Sequence, residues 1–198
     1  MKRVLFLATH LCSGSESLFD SLASHPRIEG HRSYSGYERP DDLLKLACLP
    51  HKLPNSSAIH MDELVHNFSI SSKVIYESCN YVFMIRRPRA TLNEIIATKN
   101  YTPSAAASYY CFRLRRLCSI AAKSPSPVFL TEEDCVSCRG LDMIEGVMKL
   151  KEPLSWAPWK VKDYQDAIPH GLVVECEEAY ERTHYFMRQA CLSTAIRI

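Results

Sequence analysis

No apolar run in the 198-residue chain approaches the roughly 20 residues that a membrane span needs. No block of one charge sign stands out either: 24 Lys and Arg face 22 Asp and Glu, a formal net charge of +2. The first absence predicts no membrane-spanning helix. The second excludes nucleic-acid binding driven by bulk charge, because so few excess cations matter only where they cluster. Glycine is scarce, at six residues, and no repeat or low-complexity tract is visible, so collagen-like and wholly disordered chains are excluded. What is present is ordinary for a globular protein: 46% hydrophobic, 10% aromatic and 23% charged residues. A chain this long buries roughly 70% of its unfolded surface without staples. A single domain over residues 1–198 is expected, since no linker is long enough to divide it. The nine cysteines are read as reduced thiols rather than a disulfide framework. Met1-Lys2-Arg3 before Val4–Ala8 imitates a signal peptide, but Thr9-His10 cuts the apolar run short. A strand is expected there, in a cytoplasmic protein.

Arg3–Ala8, Tyr81–Ile85 and Val128–Leu130 are short, nearly all-apolar runs, the pattern of strands buried on both faces of a parallel sheet. Between and after them the apolar spacing turns helical. Leu18, Phe19, Leu22 and Ala23 share a face that begins at Ser15 and stops at Pro26. Further helices are predicted after Pro40-Asp41-Asp42 as far as Pro50, near Met61–His66, around Ser71–Ser78, through Leu92, Ile95 and Ile96, over Ser104–Ala122, over Arg139–Lys149, and over Gly171–Cys191. His51–Ser57 and Leu150–Pro169 read as loops, the second with Trp156 and Trp159 placed to pack on the core. Strands alternating with helices predict a three-layer, P-loop-like α/β domain, its central and mainly parallel sheet flanked by helices.

Parallel-sheet proteins bind ligands at the carboxyl ends of their strands. The segment Thr9–Ser17 leaves such an end and enters a helix N-terminus, where free N–H groups and the helix dipole suit a phosphate. Ser13, Ser15 and Ser17 add hydroxyl donors, and Gly14 permits close backbone approach. The same residues also fit a plain turn with a serine cap. The loop holds no Lys for a β- or γ-phosphate, which counts against an ordinary nucleoside triphosphatase. Arg86, Arg87 and Arg89 follow the second strand, on the same rim. A guanidinium fork there would hold a second phosphate, and a solvated basic turn is the alternative. Arg113, Arg115 and Arg116 read as a solvated helix face.

Three segments, taken in order, resemble the sulfotransferase superfamily. Val4–Leu18, continuing to His25-Pro26, is similar to that family's 5′-phosphosulfate loop of strand, Lys/Arg-Ser-Gly-Thr-Thr and helix. Tyr81–Ile85 followed by Arg86-Arg87-Pro88-Arg89 resembles its 3′-phosphate motif. Pro127–Asp134 with Gly140-Leu141 resembles its later strand and helix. The resemblance implies 3′-phosphoadenosine 5′-phosphosulfate as co-substrate, no metal, and a hydroxyl or amine acceptor on a small molecule, glycan or peptide. Residue by residue it places Cys12, Ser13, Gly14, Ser15, Glu16 and Ser17 around the 5′ end, and Arg86 and Glu94 at the 3′-phosphate. Several departures matter. Cys12 stands where the family has a Lys or Arg, Glu16 where it has a Thr, and Glu94 where it has a Ser. The family's late Arg-Lys-Gly loop has no counterpart.

Sulfuryl transfer needs in-line positioning and positive charge at the leaving oxygens. Cys12 supplies no charge, so His10, if protonated, is the candidate cation; the alternative is a His bonded to backbone. A general base is needed for the acceptor, and among Glu29, His31 and Glu38 the preferred residue is His31. His25 and His184 read as structural. Cys135-x-x-Cys138 lacks the second pair of a zinc ribbon, so no metal site is expected. Glu175, Glu177, Glu178 and Glu181 read as a solvated face, while Tyr180, Tyr185, Phe186 and Met187 would pack on the sheet or on a second copy in a homodimer. Two other readings stay open: a non-catalytic sulfotransferase-fold protein that binds a nucleotide or partner, and a small P-loop phosphotransferase that uses ATP and Mg²⁺.

Overall fold

The computed structural model describes residues 4–32, 59–64, 73–137, 139–155 and 164–195. Five strands form one sheet: β1 Val4–Ala8, β2 Ile28–His31, β3 Ile59–Leu64, β4 Asn80–Ile85 and β5 Pro127–Thr131. Their order is β2-β3-β1-β4-β5, and every pairing is parallel. The helices are α1 Ser15–Ala23, α2 Lys73–Ser78, α3 Pro88–Lys99, α4 Pro103–Ala121, α5 Glu132–Val136, α6 Arg139–Met148 and α7 His170–Ala195.

The unbroken apolar strands are explained by two cores, one on each face. Period-2 alternation sends Val4, Phe6, Ala8, Tyr81, Phe83 and Ile85 to one face, where α3, α4 and α7 cover them. It sends Leu5, Leu7, Val82, Met84, Val128 and Leu130 to the other, under α1 and α6. All five residues of β1 and of β5 are buried. Local signals fix the helix starts. Pro88 and Pro103 occupy first-turn positions, and the Thr102 hydroxyl accepts from the Ala105 N–H at 3.2 Å. Thr131 and Asp134 form a reciprocal capping box that opens α5 directly from β5.

Two expectations fail on the left half of the sheet. Residues 61–64, assigned to a helix, belong to β3, and β2 was not foreseen. Ile-His-Met-Asp-Glu-Leu carries polar residues that suit a helix, yet all six are buried, because β3 lies between β1 and β2 with both faces covered. β2 is only four residues long, too short for a pattern. Its Gly30 is needed where it stands: a Cβ there would lie 2.8 Å from the Phe19 ring of α1. The helix expected between Pro40 and Pro50, the loop at 51–57, Glu38, Cys138, Trp156 and Trp159 lie outside the described residues. Among the described residues no helix is long and apolar enough to cross a membrane.

Candidate functional site

β1 sits between β3 and β4, and the chain leaves it first toward β2 and later toward β4, so the carboxyl ends of β1 and β4 form the crevice where ligands bind in such sheets. The loop after β1 turns through Cys12 (φ 56°) and Gly14 (φ 80°), both left-handed. Glycine takes that conformation at no cost; a cysteine does not. Gly14, at the N-cap of α1, has no side chain to cap it, and α1 begins at Ser15. Of its first-turn N–H groups that of Ser15 is accepted by the Ser13 hydroxyl, and the turn opens toward the loop as an anion cradle.

His10 locks this loop to the end of β4. Its Nε2 accepts the Arg86 backbone N–H at 3.0 Å, so Nδ1 carries the hydrogen and donates to the Leu11 carbonyl at 2.9 Å. Burial, with Arg113 and Arg86 nearby, lowers its pKa to about 4. His10 is thus neutral near pH 7, with both nitrogens occupied. This corrects the expectation that it supplies the loop's missing cation: desolvation disfavours the charged ring. Cys12 is not a nucleophile either, because burial and the Glu94 carboxylate raise its thiol to about 11.

Arg86 is buried at the same junction. Nη1 donates to the Cys12 carbonyl at 3.3 Å and to the Glu94 carboxylate at 2.7 Å, while Nε lies 3.3 Å from Glu132. The Tyr110 hydroxyl fixes its backbone by donating to the Arg86 carbonyl at 2.6 Å. Arg86 and Glu94 are therefore brought together with the loop, and the arginine is already matched by two carboxylates. Arg87 points elsewhere, toward Glu133, Glu177 and Glu181 and over the Tyr180 ring. Arg89 pairs with Asp166.

Two residues of this rim were not singled out as site residues. Glu63, at the end of β3, accepts from the Ser15 hydroxyl at 2.6 Å, and Arg32 lies 3.4 Å from its other oxygen. Its burial raises the carboxyl pKa. Arg113, read as a solvated helix residue, is fully buried beneath the rim. It donates to the carbonyls of Thr9 and Leu64 at the ends of β1 and β3. Burial lowers its pKa only to about 10, so it stays cationic. The signal was available: Arg113 shares a face with Ala106, Tyr110, Leu114 and Leu117, all buried. Glu63 had no such signal, since its strand was read as a helix.

The remaining expectations are placed as follows. Ser13 is buried, and its hydroxyl accepts from the Ser15 N–H at 3.3 Å. Ser17 is half-buried and Glu16 exposed on the first turn of α1. His31 does not contact the loop; its ring stacks on His60. His25 is structural, accepting from the Arg27 N–H and meeting the Glu152 carbonyl. His184 stacks on Tyr180. Tyr180 and Met187 are buried, whereas Tyr185 and Phe186 are exposed. Cys135 is buried within α5 and its thiol is pushed up to about 12. The acidic face of α7 is less idle than expected, since Glu177 and Glu181 tie it to Arg87. A groove of about 770 Å³ runs beside α7, between Arg89, Val173, Glu177 and Glu181; none of its lining residues belongs to the β1–α1 loop.

No family model matches the chain, and no curated protein matches it. Solved structures do. One is a crystal structure of a candidate steroid sulphotransferase from Arabidopsis thaliana, 15% identical, covering 92% of this chain and 76% of that one, with a TM-score of 0.49.

Proposed function

We propose that the chain is a sulfotransferase-like protein whose rim between β1 and β4 takes 3′-phosphoadenosine 5′-phosphosulfate, or the bisphosphate it leaves behind. In this reading the start of α1 receives the 5′ end and Arg86 the 3′-phosphate. The sulfuryl group passes to a hydroxyl or amine of a small molecule, glycan or peptide. The observation that carries it is the junction of loop and arginine: Arg86 reaches the Cys12 carbonyl through its side chain and His10 through its backbone. Two anion-receptive groups thereby stand on one rim, as a ligand with two separated phosphates requires. Arg113 adds a buried positive charge below them, which partly substitutes for the loop's missing cation. Glu63 is the group at the loop whose environment suits a general base: burial raises its pKa, and Ser15 and Arg32 hold its orientation.

A second reading has an observation of its own. Arg86 is matched by Glu94 and Glu132, and the loop has Cys12 in place of a cation. Both features favour a protein that binds a nucleotide or partner at this rim without transferring the group. Calorimetric titration with 3′-phosphoadenosine 5′-phosphate, run beside ATP with Mg²⁺, separates the readings. Micromolar binding of the bisphosphate, lost in Arg86→Ala, supports the donor site, and a transfer assay with the sulfated donor then decides between enzyme and binder. Binding of ATP alone moves the assignment to phosphoryl transfer. Binding of neither overturns the proposal.

A further inference from the structure

The edge of the sheet carries a second cluster, on the opposite side of β3 from β1. Parallel register sets Glu29 beside His60 and His31 beside Asp62. Because side chains alternate along a strand, Glu29 and His31 share the face that His60 presents. Gly30 between them packs on Phe19 of α1, which locks β2 so that its two neighbours project the other way. The result is three side chains whose ligating atoms all lie within 4.8 Å of one another. His31 Nε2 is 3.4 Å from His60 Nδ1, and Glu29 Oε2 is 4.0 Å from the same His60 nitrogen.

We infer that Glu29, His31 and His60 form a site for one divalent transition-metal ion of the zinc type. The distances carry the inference. Two nitrogens bound to tetrahedral zinc at about 2.0–2.1 Å stand roughly 3.4 Å apart, the spacing His31 and His60 already show. Glu29, 4.0 Å from the His60 nitrogen, must close by about 0.6 Å or more to reach that ligand spacing, which a side-chain rotation can supply. Two imidazoles and a carboxylate make a borderline-soft donor set that suits zinc over magnesium or calcium. The ligands are largely shielded, with His60 at 5% and Glu29 at 12% side-chain exposure, which limits competition from water. Among the described residues three side chains supply ligands, one short of a tetrahedral set. Bound there, the ion staples the short edge strand β2 to β3, and it fixes the strand end from which Arg32 reaches Glu63. The site stands apart from the β1–β4 rim and does not depend on the function proposed for it.

The test uses the full chain, stripped with a chelator and kept reduced, and titrated with Zn²⁺ alone. One equivalent should bind with micromolar or tighter affinity and raise the melting temperature. His31→Ala and Glu29→Gln, both at partly exposed positions, should each fold without metal. His31→Ala should weaken zinc by more than about 100-fold, beyond the 10- to 100-fold typical of losing an outer-shell partner. Co²⁺ substitution should give tetrahedral d–d bands without a sulfur-to-metal charge-transfer band. A strong charge-transfer band would place the metal on the cysteines and overturn the inference. So would zinc affinity unchanged in both variants, or no binding below millimolar Zn²⁺.

Discussion

Lowering the pH from 7 toward 4 should destabilise this protein through one residue, His10. The ring is fully buried, its Nε2 is held as an acceptor, and its pKa falls from 6.5 to about 4. The sign follows from linkage: between those two values the unfolded chain binds a proton that the folded chain refuses. Stability is therefore complete above pH 6.5 and drains as pH falls toward 4. Each pKa unit corresponds to about 1.4 kcal/mol, so the full window is worth about 3 kcal/mol, and about 2 kcal/mol is gone by pH 5. Against a typical total of about 5–15 kcal/mol this is a large share. The assay is urea unfolding at intervals between pH 7 and 4.5 for the wild type and His10→Gln, whose amide oxygen can still accept from the Arg86 N–H. The variant starts less stable because it gives up the bond to the Leu11 carbonyl, but it should lose less with acid. Equal slopes in the two proteins would refute the argument, since the contribution of every other titrating group cancels in the difference.

Four further outcomes follow from the same geometry. Glu94→Ser removes a carboxylate 2.7 Å from Arg86 and should tighten 3′-phosphoadenosine 5′-phosphate binding by about tenfold or more in calorimetry, since one charge-assisted contact is worth about 1.5–3 kcal/mol. Cys12→Lys adds a cation beside Glu94 and should raise any sulfuryl transfer, with a larger gain in turnover than in affinity. Arg113→Met leaves the Thr9 and Leu64 carbonyls short of a charged donor and should cost about 2–4 kcal/mol in chemical unfolding. Glu63→Gln acts through a carboxyl whose folded pKa is raised. The wild type should therefore lose stability as pH rises from the ordinary carboxylate value through that raised one, and the variant should not.

The right half of the sheet was legible in the sequence and the left half was not, for one physical reason. β1, β4 and β5 are buried on both faces by side chains that are apolar but for Asn80 and Thr131 at their ends, so hydrophobicity by itself marks them. β3 is equally buried but spends His60, Asp62 and Glu63 on polar partners, and such a segment carries no strand pattern. That miss propagated to the site. Ser13–Ser17 and Arg86 could be found because they follow visible strands. Glu63 and His60 could not, because the strand that aims them was read as a helix. Arg113 shows the complementary error: charge outweighed phase in the reading, whereas in the fold its position on the buried face of α4 decides, and two strand-end carbonyls absorb the guanidinium.

The charge balance of the rim decides how the two readings of function divide. Arg32, Arg86 and Arg113 are its cations, and Glu63, Glu94 and Glu132 its carboxylates. A rim already balanced in this way offers no net attraction to a bisphosphate, whose charge would meet Glu94 and Glu132 as well as Arg86. Binding then requires that a carboxylate turn away from Arg86. Glu94 and Glu132 are each about a quarter exposed, so water can receive a carboxylate that swings out. A protein built this way binds its anion more weakly than the size of the site implies. In Glu94→Ser that competition should shrink, because Glu132 alone would remain to compete. The same affinity in the wild type and in Glu94→Ser would show instead that the anion never displaces these carboxylates, and that the rim holds Arg86 as structure.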